Sequence, residues 1–325
     1  MNIETQIELL KQRIDEELDL QFQGKEPRIL YEPMAYVFKA GGKRIRPLLL
    51  ILACQSVGGH IEDCIDAALA VEILHTFTLV HDDIMDHDDV RRGRPTVHKK
   101  WDESTAILVG DGLVTAAYQV LLKTEHPNLR RILEIFTDGL LVLCEGQALD
   151  KMFEIQDNIE IDDYENMINK KTTKLIKVAC EIGAILGNGT HEERLALKNY
   201  ASCLGKAFQI QDDLMDIFSE EEVSGKPMGS DLIEKKKTFP TIYFLNHSSS
   251  VAKKTFQSLW EKKDFRKKEI LQIRELFIQE GVCESTQQMI KRLIAQALEC
   301  LSKLKERDSR ESLKKLTLMI QDRIA

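Results

Sequence analysis

The chain has 325 residues, 43 % hydrophobic and 30 % charged, the balance of a globular protein large enough for one big domain or two ordinary ones. A net charge of -8 removes the basic surface that a phosphate backbone requires, which argues against a nucleic-acid binder. Seven dispersed cysteines without CxxC spacing exclude a disulfide scaffold and read as reduced thiols of a cytosol-like compartment. No apolar run approaches the roughly 20 residues of a membrane span.

Aromatics at 6 %, with Pro (7) and Gly (17) few, favour helices over sheets. The start, MNIETQIELLKQRIDEELD, is acidic and amphipathic, unlike a secretory or mitochondrial leader. Apolar residues at helical spacing (Ile7, Leu10, Ile14, Leu18) predict a first helix over 3–20, and Pro27 and Pro33 punctuate the connection after it. GGKRIRP (41–47) sets Lys43, Arg44 and Arg46 just before an apolar helix at 48–57. Gly58, Gly59 and His60 break the chain, and a helix from about Asp63 to Asp88 follows. Pro95 ends an Arg-rich loop, the next predicted helix starts near Gly110 or Asp111 with Asp111 as its N-cap, and His126–Asn128 is a turn before a helix over 129–150. A further amphipathic helix is predicted over 162–187 and another over 192–218. The longest polar segment, 219–237, reads as a mobile loop over the site, and charged amphipathic helices complete the chain. Neither a repeat nor strand-like alternation is evident. The expected fold is all-α: a single domain, 1–325, of mostly antiparallel long helices around a central cavity.

The stretch HTFTLVHDDIMDHDDVRRGR (75–94) carries the first chemistry. At about 100° per residue, Asp82 and Asp86 stand roughly 40° apart and Asp83 roughly 60° further round, so the three carboxylates share one narrow helix face. Ionised carboxylates crowded in a packed, apolar helix need compensating cations. Oxygen-only ligands suit Mg²⁺, which takes one or two carboxylates and leaves positions for phosphate oxygens. FQIQDDLMDIF (208–218) repeats the spacing 130 residues later with Asp212, Asp213 and Asp216. One such cluster reads equally well as a solvated helix face; two in one helical chain point to several metal ions bridging a diphosphate. Basic residues come in matching groups: Lys43, Arg44 and Arg46; Arg91 and Arg92; Lys170, Lys171 and Lys174; Lys226 and Lys235–Lys237. Each alone is a solvated surface charge; together they suggest two bound anions, one chelated through metal and one gripped directly.

These motifs resemble those of the trans-isoprenyl diphosphate synthases (polyprenyl synthetases), in order from Gly41 to Pro240. DDIMD with RRG and QIQDDLMD are similar to the family's two aspartate-rich motifs. GGKRIRP, His75, GQALD (146–150), KKT (Lys171, Thr172) and GKPMGSD (225–231) fall where the family places them. The resemblance implies an isoprenoid synthase-like fold and a Mg²⁺-dependent, head-to-tail condensation of isopentenyl diphosphate with an allylic diphosphate. It implies that Asp82, Asp83, Asp86, Asp212, Asp213 and, more weakly, Asp216 bind Mg²⁺. Arg91, Lys171 and Lys226 would contact the allylic diphosphate, and Lys43, Arg46, His75 and Arg92 the isopentenyl diphosphate. Thr172 and Gln209 would flank the developing cation, Gln147 and Asp150 would line the site, and Lys236 would close over it. His75 also reads as an ordinary core histidine. A homodimer is a further family expectation.

Product length turns on Phe77 and Thr78, five and four residues before Asp82. A bulky fifth residue with no insertion between Asp83 and Asp86 resembles the geranylgeranyl (C20) pattern, with C15 and C25 as alternatives. On a regular helix Phe77 lies about 140° from Asp82, so it floors a tunnel only where the helix kinks or the cavity curves, and it also reads as plain core packing. A class I terpene cyclase usually carries an Asn/Ser/Glu second motif, unlike Asp212–Asp216, and non-catalytic partner subunits tend to lack one cluster.

Overall fold

Almost every side chain of the segment 67–74 is buried, so the helix that carries it must be covered on all sides. The structure, a computed structural model, describes residues 2–156, 158–218, 229–262 and 266–321. In chain order its elements are α1 (Ile3–Phe22), α2 (Arg28–Phe38), α3 (Ile45–Val57), α4 (Ile65–Met85), β1 (Val90–Arg91), β2 (Arg94–Pro95), α5 (Val97–Lys100), α6 (Glu103–Leu121) and α7 (Leu129–Ile155). Then come α8 (Ile161–Ile168), a π turn (Asn169–Thr173), α9 (Lys174–Leu186), α10 (His191–Phe218), α11 (Ser230–Ile233) and α12 (Phe239–His247). The last are α13 (Ser250–Trp260), α14 (Lys267–Gln279), α15 (Val282–Ser302) and α16 (Asp308–Gln321). The fold is all-α; the two-residue strands form only a small hairpin.

The chain gathers into two compact units. The first comprises the chain up to Leu140 with Leu175–Lys198 and Cys300–Lys315. Here α3 and α4 are buried almost throughout, and α9 crosses α3 closely because Gly183 leaves no room for a side chain: a Cβ there would lie 2.2 Å from the Leu50 carbonyl oxygen. The second comprises Leu141–Lys174, Asn199–Glu299 and the chain from Leu316. Its core is aromatic, with Phe244 5.1 Å from Phe256 and 5.0 Å from Phe277, ring centroid to centroid.

Several boundaries differ from expectation, each for a local reason. Pro33 lies inside α2 rather than in a connection; burial of Met34, Tyr36 and Phe38 outweighs the one backbone hydrogen bond it removes. Helix α6 begins at Glu103, not near Asp111, because Asp102 caps it by accepting from the Thr105 N–H at 2.7 Å. Gly110, which reads as a breaker, is there for packing: a Cβ would lie 1.9 Å from His81 Nε2. The helix expected over 162–187 is interrupted by the π turn. In the Arg-rich loop, Arg92 (φ 53°) and Gly93 (φ 70°) both take left-handed backbone, the requirement of a tight hairpin turn between β1 and β2.

By length and composition alone α6 could cross a membrane. It buries Val109, Leu113, Ala117, Val120 and Leu121 within the first unit, as a core helix does. Residues 219–228, most of the expected loop, lie outside the described residues.

Candidate active site

The first aspartate cluster stands at the C-terminal end of α4. Asp83 is buried, Asp82 and Asp86 are half-buried, and Asp86 is the C-cap residue, its N–H donating to the Asp82 carbonyl at 2.8 Å. The β1–β2 hairpin returns Arg91 to this end, where it donates to Asp83 and, at 3.2 Å, to Asp88. The hairpin is held by Tyr36, whose hydroxyl donates to the Pro95 carbonyl at 2.9 Å. The Tyr36 ring lies 4.3 Å from the Arg94 guanidinium and 3.8 Å from the Lys100 ammonium.

Arg92 turns the other way, across the GGKRIRP segment, and donates to the Gly41 carbonyl. Gly42 takes a φ of 155°, which favours glycine, and a Cβ there would also lie 2.7 Å from the movable end of that guanidinium. Arg46, in the first turn of α3, meets His75 Nε2 at 3.1 Å. Arginine only donates, so Nε2 is the acceptor and the His75 proton sits on Nδ1. Burial, then the cations of Arg46, Arg92, Arg91 and Arg44, hold the His75 pKa well below the usual imidazole range. The ring is therefore neutral; Lys43, three residues before Arg46, is exposed on the segment leading into α3.

Arg44 departs from its neighbours. Its side chain is buried and donates to Asp15 and Glu72, both at 2.7 Å, and to the Phe38 carbonyl at 3.1 Å, so it belongs to the interior and not to the group of phosphate-facing cations. Thr78 donates to the His75 carbonyl at 2.7 Å. Half-buried Phe77 packs edge-on against His81, with 4.9 Å between ring centroids.

The second unit holds the other group. Gly146 of α7 abuts the π turn so closely that a Cβ would lie 2.3 Å from the Lys171 nitrogen. The π turn presents Lys171, whose ammonium meets Asp150 at 2.5 Å, and Thr172, which donates to Gln209 Oε1 at 2.5 Å. Gln209 in turn donates to Asp213 Oδ1 at 2.8 Å, while Tyr164 and the Phe239 N–H donate to Oδ2 at 2.6 and 3.1 Å. Burial raises the Asp213 pKa to about 6 against the opposing pull of those hydrogen bonds. Asp216 accepts from the Ser230 hydroxyl at 2.6 Å and the Asp231 N–H at 3.0 Å, anchoring α11. Asp212 is half-buried beside them. Both amide atoms of Gln147 are buried with no hydrogen-bond partner among the described residues.

Lys171, Thr172, Gln209, Asp213 and Lys236 line one cavity of about 110 Å³. Lys236 is held by Glu234 at 2.7 Å, whereas Lys237 donates to the Phe153 carbonyl at 2.8 Å and to that of Gln156. Lys226 lies outside the described residues. Sequence reasoning missed Tyr164 and Glu72, which act across 49 and 28 residues; it grouped Lys237 with the anion-facing lysines beside it, whereas the structure turns it to the end of α7.

Among the described residues no three His, Cys, Asp or Glu side chains form a ready-made metal cage. The donors at both clusters are carboxylate oxygens, and a hard divalent cation that arrives with a diphosphate needs only one or two. The donor set thus fits such an ion.

Comparison with known proteins agrees with this chemistry. The family model for polyprenyl synthetase matches residues 27–277. The chain is 38 % identical to a short chain isoprenyl diphosphate synthase of Methanothermobacter thermautotrophicus, over 91 % of each chain. It is 42 % identical to a geranylgeranyl diphosphate synthase of Methanosarcina mazei, over 74 % of this chain and 76 % of that one. The crystal structure of a geranylgeranyl pyrophosphate synthetase from Pyrococcus horikoshii superimposes with a TM-score of 0.92 at 35 % identity, over 98 % of both chains. With its matched motifs, its all-α fold and relatives that span the chain, this protein belongs to the polyprenyl synthetase family.

Proposed function

We propose that this chain, a short-chain trans-prenyltransferase, joins isopentenyl diphosphate head-to-tail to an allylic diphosphate and makes geranylgeranyl diphosphate (C20). The observation that carries the reading is that each of the two aspartate-rich helix ends comes with its own set of cationic side chains. Mg²⁺ is the proposed metal, and when bound it supplies Lewis-acid stabilisation of the leaving diphosphate. Asp82, Asp83, Asp86, Asp212, Asp213 and Asp216 are its proposed ligands. Asp213 and Asp216 each accept hydrogen bonds at both oxygens, which orients their carboxylates for the ion.

Arg91, Lys171 and Lys226 hold the allylic diphosphate and draw off charge as its C–O bond ionises. Lys43, Arg46 and Arg92 hold the isopentenyl diphosphate, and neutral His75 offers its Nδ1–H to the same anion. Thr172 donates to Gln209, which leaves the remaining lone pairs of both oxygens to face the allylic cation. Gln147, whose amide has no partner among the described residues, offers a further polar contact, Asp150 steadies Lys171, and Lys236 closes over the site. The double bond of the second substrate attacks the cation, and loss of a proton restores an alkene.

Phe77 is the proposed floor of the chain tunnel, with small Thr78 beside it. A homodimer is part of the proposal, since α6 leaves Ile107 and Leu108 exposed, and Leu122 just after it. A cytoplasmic site accords with seven free thiols. The test incubates the purified chain with Mg²⁺, labelled isopentenyl diphosphate and C5, C10 or C15 allylic primers, and sizes the resulting alcohols. A dominant C20 product supports the reading. A ladder to C30 or beyond removes the Phe77 floor, and absence of transfer with every primer removes the synthase.

A further inference from the structure

Phe77 does not stand on the Asp82 side of α4. On the wheel it lies about 140° from Asp82 and about 40° from His81, so Phe77 and His81 share a face. That face looks onto α6: His81 Nε2 is 3.4 Å from the Ile107 carbonyl, and the imidazole fills the notch left by Gly110. A Cβ at Gly110 would lie 1.9 Å from His81 Nε2, 2.3 Å from Cδ2 and 2.8 Å from Cε1, so no side chain fits there with the ring in place. The front of the imidazole meets the Phe77 ring edge-on, at 4.9 Å and 67°.

We infer that His81, seated in the Gly110 notch of α6, is a positioning residue for product length that fixes the Phe77 ring from behind. The inference rests on Phe77 being the tunnel floor and explains how that floor is kept rigid. Phe77 is only half-buried, so α4 alone leaves its ring room to swing. The wedge removes that freedom. A growing apolar tail then meets a fixed ring, where an unsupported one would yield and let another isoprene unit in. His81 is asked for no proton transfer; it acts by shape and ring-edge contact.

The test reads product distribution at matched conversion for His81→Ala, Phe77→Ala, the double variant and Gly110→Ala. His81→Ala should raise the ratio of C25 and longer products to C20 by about fivefold, the scale of one lost aromatic contact. In the Phe77→Ala background it should add nothing, because His81 acts only through that ring. Gly110→Ala should drive the imidazole against Phe77 and raise the C15 share, and the same change in His81→Ala should not. An unchanged distribution in His81→Ala while Phe77→Ala lengthens the product overturns the wedge and spares the floor. An unchanged distribution in Phe77→Ala overturns the floor itself. Should His81→Ala not fold, Gly110→Ala still decides: wild-type products from it refute the inference.

Discussion

Replacing Arg44 by Met strips the hydrogen-bonded cation from Glu72, a carboxylate buried in the interior of the first unit. The Arg44 and Glu72 side chains are 2 % and 3 % exposed and meet at 2.7 Å; Asp15, the other anionic partner, is 41 % exposed. Removing one member of a buried pair strands its partner and costs about 3–5 kcal/mol. The exposed Asp15 half adds less than about 1 kcal/mol. Arg44 has a φ of 50°, but Met bears the same Cβ strain there, so the side chain alone is tested. At roughly 2 °C per kcal/mol for a chain of this size, Tm should fall by about 6–10 °C. Thermal unfolding followed by circular dichroism measures it, with Glu72→Leu and the double variant completing a cycle. The double variant should recover most of the loss, because the stranded charge is gone. A single variant within about 1 kcal/mol of the parent, or a double variant no better than Arg44→Met, refutes the argument. At temperatures where both fold, Arg44→Met should keep the KM for isopentenyl diphosphate, whereas Arg46→Ala should raise it.

His75→Gln tests a pH effect. The folded ring stays neutral while the unfolded ring protonates below about pH 6.5, so the unfolded state binds the extra proton and stability falls as pH falls. One such group gives a slope of about 1.4 kcal/mol per pH unit, and the variant should flatten the stability curve by that amount between about pH 6.5 and 5; an unaltered slope contradicts it. Gly146→Ala should cost about 1–3 kcal/mol and raise the KM for the allylic diphosphate, because its Cβ meets the backbone of Lys171 and Lys170, which no rotamer change relieves. Unaltered melting and kinetics would show that the π turn can retreat. Lys237→Met should release the last turn of α7, seen as faster amide exchange near Phe153, with a loss of about 1–3 kcal/mol; unchanged exchange there would remove the capping role.

The aspartate clusters were legible because an apolar helix has no ordinary reason to carry three carboxylates, and the second cluster repeats the first. The cations were legible only as groups. GGKRIRP offers Lys43, Arg44 and Arg46 on equal terms, and partners on other helices, buried Glu72 with Asp15 and the Phe38 carbonyl, select Arg44 for the interior. The same holds for EKKK, where Lys237 reaches the end of α7 and Lys236 stays with Glu234. Gly110 misled for a related reason: local propensity reads it as a boundary, while its cause is an imidazole on α4. Pro33 misled in the same way, since tertiary burial decides for helix against a local breaker. Tyr164 carries no sequence signal, because its meaning lies entirely in Asp213 across 49 residues.

The π turn between α8 and α9 acts as a change of phase. A continuous α-helix ties each residue's direction to its neighbours at about 100° per step, so one sequence pattern must serve both ends. The wider turn at Asn169–Thr173 cuts that tie. Residues 161–173 can be selected for what they present to the cavity, and α9, buried almost throughout from Leu175 to Leu186, for how it packs. Deleting one residue from NKKTT would make the more regular helix, yet it would take Lys171 and Thr172 out of the register that brings them to Asp150 and Gln209. The irregularity is what lets a chemical segment and the packing segment after it be selected without constraining each other.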